Sequence, residues 1–325
     1  MDDRADQKTG AAPKPNVSRA SIALEGRAIR YAEVVQPEEG PAALRRLGTA
    51  DFDFDVAESI LSESGPAHLD TVLDAVGQIL RGTTARSLQV VVHPNRLVGF
   101  FSPLPESLSA SERYEQLRQE AALLADVKTT EPVRIRASPL RSEDVLVEER
   151  PISHRWHHVF HVPEPVHARL TLVARALNMG TYDLTDSTRA AAAVVREVDR
   201  SAPLPAMPDP EKQITLALGV YPGMVELSVL RSGLWYHSHY ATIGAPDDAA
   251  YFAVALLEKL NIPNSEVGRL VMYGKQADPD EFHLLSTLFD VTPTLLNPLK
   301  IFGRTPEGVS PALLAGYAPC IGPVV

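Results

Sequence analysis

Apolar and polar positions alternate most clearly between Ile214 and Gly274. Three short β-type runs are followed there by one amphipathic helix and a fourth apolar strand that ends on Gly274. A hairpin sheet feeding a helix and a further strand is the seed of an α/β layer. The first half predicts a related order. Ser18 to Leu24 and Ala28 to Val35 read as a hairpin turning at Glu25-Gly26-Arg27, and Leu44 to Phe54 as a third run. His68 to Leu80 spaces Leu69, Val72, Leu73, Val76 and Ile79 as one helix face, with Gly82 as its stop. Ser87 to Pro94 is a buried strand ended by Pro94.

The middle is more mixed. Ser109 or Ser111 caps a helix that runs through Ala125, and Glu112 or Glu115 closes the capping box. Strand-like runs follow at Val133–Ala137, Val145–Glu149 and Arg155–Val162. Pro163 and Pro165 open a long helix to Met179, with a stripe of Val166, Leu170, Val173 and Leu177 and a stop at Gly180. TYDLTDS leads into an alanine-rich helix over Thr188–Val198. Ser201 to Lys212 holds four prolines and reads as a hinge. After Gly274 come a helix around Glu281–Phe289, a strand-like VTPTLL, and a proline- and glycine-rich end from Asn297.

SIALEGRAIRYAEVV and TLALGVYPGMVELSV both read as strand, glycine-containing turn, strand, and each precedes a helix and an apolar strand (Leu88–Val92, Leu270–Tyr273). The expectation is a two-lobed mixed α/β protein with a cleft between two copies of one unit. Its parts are a disordered tail over 1–17, a first lobe with an inserted subdomain over 18–200, the hinge at 201–212 and a second lobe over 213–325.

Composition narrows the function classes. The chain has 325 residues, 45% of them hydrophobic and 22% charged, as in ordinary globular proteins. A net charge of −10 leaves no basic surplus for phosphate backbones, which argues against a nucleic-acid binder. Cys320 is the single cysteine, so neither an intrachain disulfide nor a cysteine zinc site is available. No run approaches the ~18 apolar residues of a membrane span. The polar N-terminus lacks an apolar signal core, and a cytoplasmic protein is expected.

Candidate chemistry is sparse. His154, His157, His158, His161 and His167 cluster, and His237 and His239 recur later. His157 and His161 have the spacing of a helical zinc pair, yet the run alternates as a strand. Residues four apart on a strand lie ~13 Å apart at ~3.3 Å per residue. Asp51, Asp53 and Asp55 alternate with Phe52, Phe54 and Val56 and would share one strand face, as a metal site or a solvated edge. Tyr251, Phe252, Val254, Leu256 and Leu257 read chiefly as core, while Trp235 and Tyr236 point to opposite strand faces. No P-loop, Gly-x-Gly-x-x-Gly or Gly-x-Ser-x-Gly elbow occurs.

The duplicated unit resembles the actin-like ATPase superfamily from about Ser18 to Val325. Within it, WHHVFHVPEPVHARLTLVARALNMGTYDL, LLNPLKIF and YAPCIGPVV are similar to the PilM family of type IV pilus assembly proteins. Leu234–Tyr236 and Asp248–Phe252 are similar to a second bacterial family of degenerate actin-like proteins. The resemblance implies nucleotide turns of the form Asp-x-Gly and a late glycine pair. This sequence offers Leu24-Glu25-Gly26, Ala217-Leu218-Gly219 before Val220, Tyr221 and Pro222, and a single Gly274 before Lys275.

Glu25, Gly26, Gly219, Gly223 and Gly274 therefore mark a degenerate nucleotide cleft. The expectation is no catalytic residue, no metal and no cofactor beyond weak binding of Mg-ATP. By the same resemblance the function expected is a non-catalytic scaffold at the inner face of the membrane. It would bind the cytoplasmic segment of a membrane-anchored partner in a pilus or secretion assembly. A divergent ATP-dependent phosphotransferase, with Glu25 as the metal-linked acid, and a histidine-metal hydrolase are the alternatives.

Overall fold

A computed structural model describes residues 17–63, 67–126, 133–147, 150–201 and 214–325. The expected tail (through 16) and most of the expected hinge (202–213) lie outside the described residues. In the first half the chain forms β1 (Val17–Glu25), β2 (Ala28–Gln36), β3 (Ala43–Asp51), α1 (Val56–Leu61), α2 (Leu69–Ile79) and β4 (Ser87–Val92). It continues through β5 (Gly99–Pro105), α3 (Ala110–Leu124), β6 (Ile135–Val147), β7 (Arg150–His161), α4 (Glu164–Ala176), β8 (Thr181–Asp186) and α5 (Ser187–Ser201). The second half holds β9 (Ile214–Tyr221), β10 (Met224–Arg231), β11 (Leu234–Thr242), α6 (Asp248–Lys259) and β12 (Val267–Tyr273). Then come α7 (His283–Phe289), β13 (Thr294–Leu295), α8 (Pro311–Ala315) and α9 (Ala318–Ile321).

Two five-stranded sheets repeat one topology. Their orders are β3-β2-β1-β4-β8 and β11-β10-β9-β12-β13, with an antiparallel hairpin giving way to parallel neighbours in both. β1 and β9 are central; burial on both faces explains the almost unbroken apolar run of β9 and the buried stretch Ala20–Leu24 of β1. β5, β7 and β6 form a third, antiparallel sheet inserted into the first half, covered by α3. Ser109 caps α3 and Glu112 completes the capping box.

Several boundaries differ from expectation for physical reasons. β5 was not expected, because Pro103 and Pro105 argue against a strand. It is an edge strand, bonded only to β7, where a missing N–H can face away from the ladder. The runs expected at 133–137 and 145–149 overlap one strand, β6 (Ile135–Val147), which bulges between Pro139 and Ser142; Glu148 and Glu149 lie outside the described residues. Asp51, Asp53 and Asp55 do not share a strand face. β3 stops at Asp51, and Asp55 caps α1 by accepting from Glu58 N at 2.8 Å. Tyr251 is not core but 71% exposed, on the outer face of α6.

The alanine-rich α5 runs between the two lobes. Ala190, Ala191 and Ala192 are buried with Ala217, Leu230, Cys320 and Ile321 in one shared core. Small side chains let the C-terminal segment approach α5 so closely that Gly322 sits directly on the Ala190 backbone, with no room for a Cβ. Among the described residues no helix is long and apolar enough to cross a membrane.

Candidate functional site

Two hairpin turns face one another across the gap between the lobes. Gly26 (φ +55°) and Arg27 make the first; Pro222 and Gly223 (φ +69°) make the second. Gly219 is not in that turn, as the sequence pattern placed it, but three residues earlier inside β9. The strand continues through Val220 and Tyr221 because both are buried. Gly219 instead makes room for Tyr273, whose ring lies 2.7 Å from where a Cβ would stand. Gly274 (φ +99°) follows β12, and a Cβ there would lie 2.5 Å from the Val220 carbonyl oxygen.

Between the turns lies a cavity of about 580 Å³. Of the residues singled out in the sequence, Glu25 and Gly26 line it, beside Arg27, Arg30, His93, Tyr221 and Lys275. Gly223 belongs to an adjoining cavity with Gly244 and Gln276. Glu25 is buried and ion-paired to Arg30, with Oε2 2.8 Å from Nε. Burial raises its pKa, and the positive charge of Arg30 offsets this in part.

The register makes Arg30 and Glu226 equivalent. Glu25 pairs with Ala28 and Tyr221 with Met224, so each is the second residue beyond such a pair. Glu226 has no exposed surface and gathers three partners. His93 Nδ1 lies 2.6 Å from Oε1, Ser187 Oγ donates to Oε1 at 2.6 Å, and Tyr273 O–H donates to Oε2 at 3.2 Å. Burial disfavours a charged His93, but the Glu226 carboxylate outweighs it and raises the pKa. Asp186, at the end of β8, is pushed up to about 7 by burial and by Glu226. Its Oδ1 accepts from Thr188 N at 2.7 Å and from the Thr188 hydroxyl, which fixes the start of α5.

None of His93, Arg30, Asp186, Ser187 or Glu226 was singled out in the sequence. The one available signal was Glu226, a lone charge inside the apolar run MVELSVL.

These residues do not fit a Mg-nucleotide. Pro222 has no N–H to offer a phosphate, and the first N–H groups of α1, on Val56 and Ala57, are already donated to the Gly26 carbonyl at 2.7 and 3.2 Å. Gly274 N and Gln276 N donate to Ala315 and Val220 carbonyls. Glu25, the acid expected to hold the ion, faces Arg30 instead of open solvent. The Tyr221 ring packs edge-on against His93, centroids 4.6 Å apart, in the wall of this cavity.

The histidine run lies on β7, as its alternation predicts. His158 and His237 join Phe101, Phe160 and Trp235 in an aromatic cluster between the inserted sheet and β11. Burial lowers the pKa of His158 to about 3 and of His237 to about 4. Among the described residues no group of three or more His, Cys, Asp or Glu is placed to hold a metal ion.

On the far side of α5 a groove of about 380 Å³ lies where three strand edges meet. β8 and β11 end their sheets there, and β6 is an edge of the inserted sheet. Arg141, Arg189 and Arg196 line it with Asp183 and Trp235. Arg141 is clamped between rings, 3.6 Å from Tyr236 and 4.7 Å from Trp156, and donates to Tyr236 O at 2.5 Å.

No protein-family model and no curated protein matches the sequence. Solved structures do. A chain of a PilM–PilN type IV pilus biogenesis complex matches at TM-score 0.66 and 15% identity, over 95% of this chain and 98% of that one. A Bacteroides thetaiotaomicron protein with actin-like ATPase fold and unknown function matches at TM-score 0.48 and 9% identity, over 93% and 96%. The cytoplasmic domain of EpsL, an inner membrane component of the type II secretion system of Vibrio cholerae, matches at 0.45 and 11%, over 93% and 94%. The first match, with the repeated strand order, makes the fold the two-lobed actin-like one.

Proposed function

We propose that this chain is a non-catalytic, actin-like scaffold at the inner face of the membrane. Its groove between β6, β8 and β11 holds an extended, acidic segment from a membrane-anchored assembly protein. One observation carries the reading: three strand edges, none paired to a further strand on that side among the described residues, converge on one groove. Free edges receive an extended peptide through main-chain hydrogen bonds, and neighbouring side chains select its sequence. Arg141, Arg189 and Arg196 line the groove against Asp183; Glu143 and Glu197 ion-pair with Arg141 and Arg196, which leaves Arg189 as the guanidinium to meet a carboxylate of the peptide. The PilM–PilN neighbour is itself a complex of this fold with a partner.

The test is titration of short labelled peptides copied from the cytoplasmic ends of single-span membrane proteins encoded beside this gene. An acidic peptide should bind, and Arg189→Glu should abolish binding with an unchanged circular dichroism spectrum. If no such peptide binds and Mg-ATP turns over in a reaction lost in Glu25→Gln, the scaffold reading falls and the phosphotransferase replaces it.

A further inference from the structure

The cavity between the hairpin turns has buried polar atoms that no group among the described residues satisfies. Glu25 Oε1, His93 Nε2 and the Tyr221 hydroxyl all lack a hydrogen-bond partner, and all three residues line the same cavity. His93 and Tyr221 are 5% and 6% exposed. Leaving one such atom unmet costs more than a typical hydrogen bond returns, and three around one space mark a place built to be filled.

Their chemistry is mixed in a definite way. His93 is held at Nδ1 by Glu226, which leaves Nε2 to face the cavity, carrying an N–H on the charged imidazole. Tyr221 keeps its phenolic proton, because burial raises its pKa well above the usual value. Lys275 and Arg27 also line the space, and among the described residues no carboxylate lies within ion-pairing distance of either. Arg30 and Arg96 are already engaged, by Glu25 and by Asp55 and Glu58. Against these donors stands one buried, unpartnered acceptor, Glu25 Oε1, whose companion oxygen holds Arg30; Asp51 adds an exposed carboxylate at the rim. An anion alone would meet the donors and be repelled by Glu25. An anion that also carries a proton meets both.

We infer that this cavity binds, without a metal ion, a small oxyanion that carries its own hydrogen-bond donor. The anionic oxygens face His93, Tyr221 and Lys275, and the donor faces Glu25 Oε1. Hydrogen phosphate and a hydroxycarboxylate share this chemistry. Sulfate and succinate are matched controls, of similar charge and size but with no O–H at neutral pH. The site lies apart from the peptide groove, so the two readings stand or fall separately.

The experiment is isothermal titration of the full chain, in EDTA, with inorganic phosphate, sulfate, malate and succinate in separate arms. Phosphate should bind more tightly than sulfate, or malate more tightly than succinate, by on the order of tenfold or more, because the donorless anion leaves Glu25 unmet. The pair that discriminates identifies the ligand class. Lys275→Ala, at a cavity rim rather than in a core, should weaken that binding at least tenfold. Arg196→Ala, in the groove, should leave it unchanged. No binding at millimolar ligand, equal binding of donor and donorless anions, or full binding by Lys275→Ala each overturns the inference. So does binding that needs Mg²⁺ and adenosine.

Discussion

Arg30 and Glu226 hold equivalent positions in the two lobes and carry opposite charge. Each serves as a hub for its side of the gap. Arg30 holds Glu25 and donates to the Gly316 carbonyl; Glu226 holds His93, Ser187 and Tyr273. His93 belongs to the first lobe and Glu226 to the second, so their contact joins the lobes at the floor of the gap. Removing the carboxylate strands three buried partners. Glu226→Ala should therefore cost ~3–5 kcal/mol in urea unfolding. Glu226→Gln, which keeps an acceptor oxygen, should cost less. Equal stability of Glu226→Ala and the native chain would show that the network contributes nothing.

Gly219 and Tyr273 form a second coupled pair. The ring cannot swing away from an added Cβ, because it is fully buried and its hydroxyl is held by Glu226. Gly219→Ala should lose ~1–3 kcal/mol through overpacking. Tyr273→Leu should recover part of that loss, and a double-mutant cycle should give a coupling well above measurement error. Strict additivity would place the clash elsewhere.

Stability should depend on pH in two opposed ways. His158 has a folded pKa of about 3 against 6.5 ordinarily, so its contribution is complete above pH 6.5 and is lost as the pH falls toward 3. By pH 5 the loss is on the order of 2 kcal/mol. Asp186 runs the other way. Its folded pKa of about 7 exceeds 3.8, so its contribution is present at low pH and lost as the pH rises from about 4 to 7. Melting temperatures across pH should separate the two. His158→Phe should reduce the loss on the acid side, where His237 contributes as well, and Asp186→Asn should remove the decline toward neutrality. Unchanged profiles in both variants would count against these burial effects.

Arg141 ties the inserted sheet to β11 through two rings and a carbonyl. Arg141→Ala should weaken that junction by ~1–2 kcal/mol. Amide exchange should quicken in β5, β6 and β7 while the five-stranded sheets stay protected. Arg141→Lys should behave alike, since an ammonium cannot lie flat between Trp156 and Tyr236. Faster exchange throughout the molecule would contradict a local role.

Much of the architecture was legible because it is written in local periodicity. The hairpin at Gly26, the Ser109–Glu112 capping box and the stripe of Val166, Leu170 and Val173 are patterns within a few residues of chain. Gly219 was misplaced for a related reason: a glycine in an apolar run reads as a turn, whereas this one answers to Tyr273, distant in sequence. The polar network was illegible on similar grounds. His93, Ser187 and Glu226 are far apart in the chain, and only the pairing of the two sheets brings them together. No spacing rule reports such a meeting, and only the isolation of Glu226 among apolar neighbours hinted at it.

Where Gly322 rests on Ala190, two stretches of main chain touch with nothing compressible between them. Side chains are the springs of a packed protein, since they change rotamer and absorb a small displacement. At this contact there are none. The C-terminal segment therefore meets α5 backbone to backbone, three residues along from Ser187, which donates to the carboxylate of Glu226. One rigid helix thus spans from the core around Cys320 to the floor of the interlobe gap.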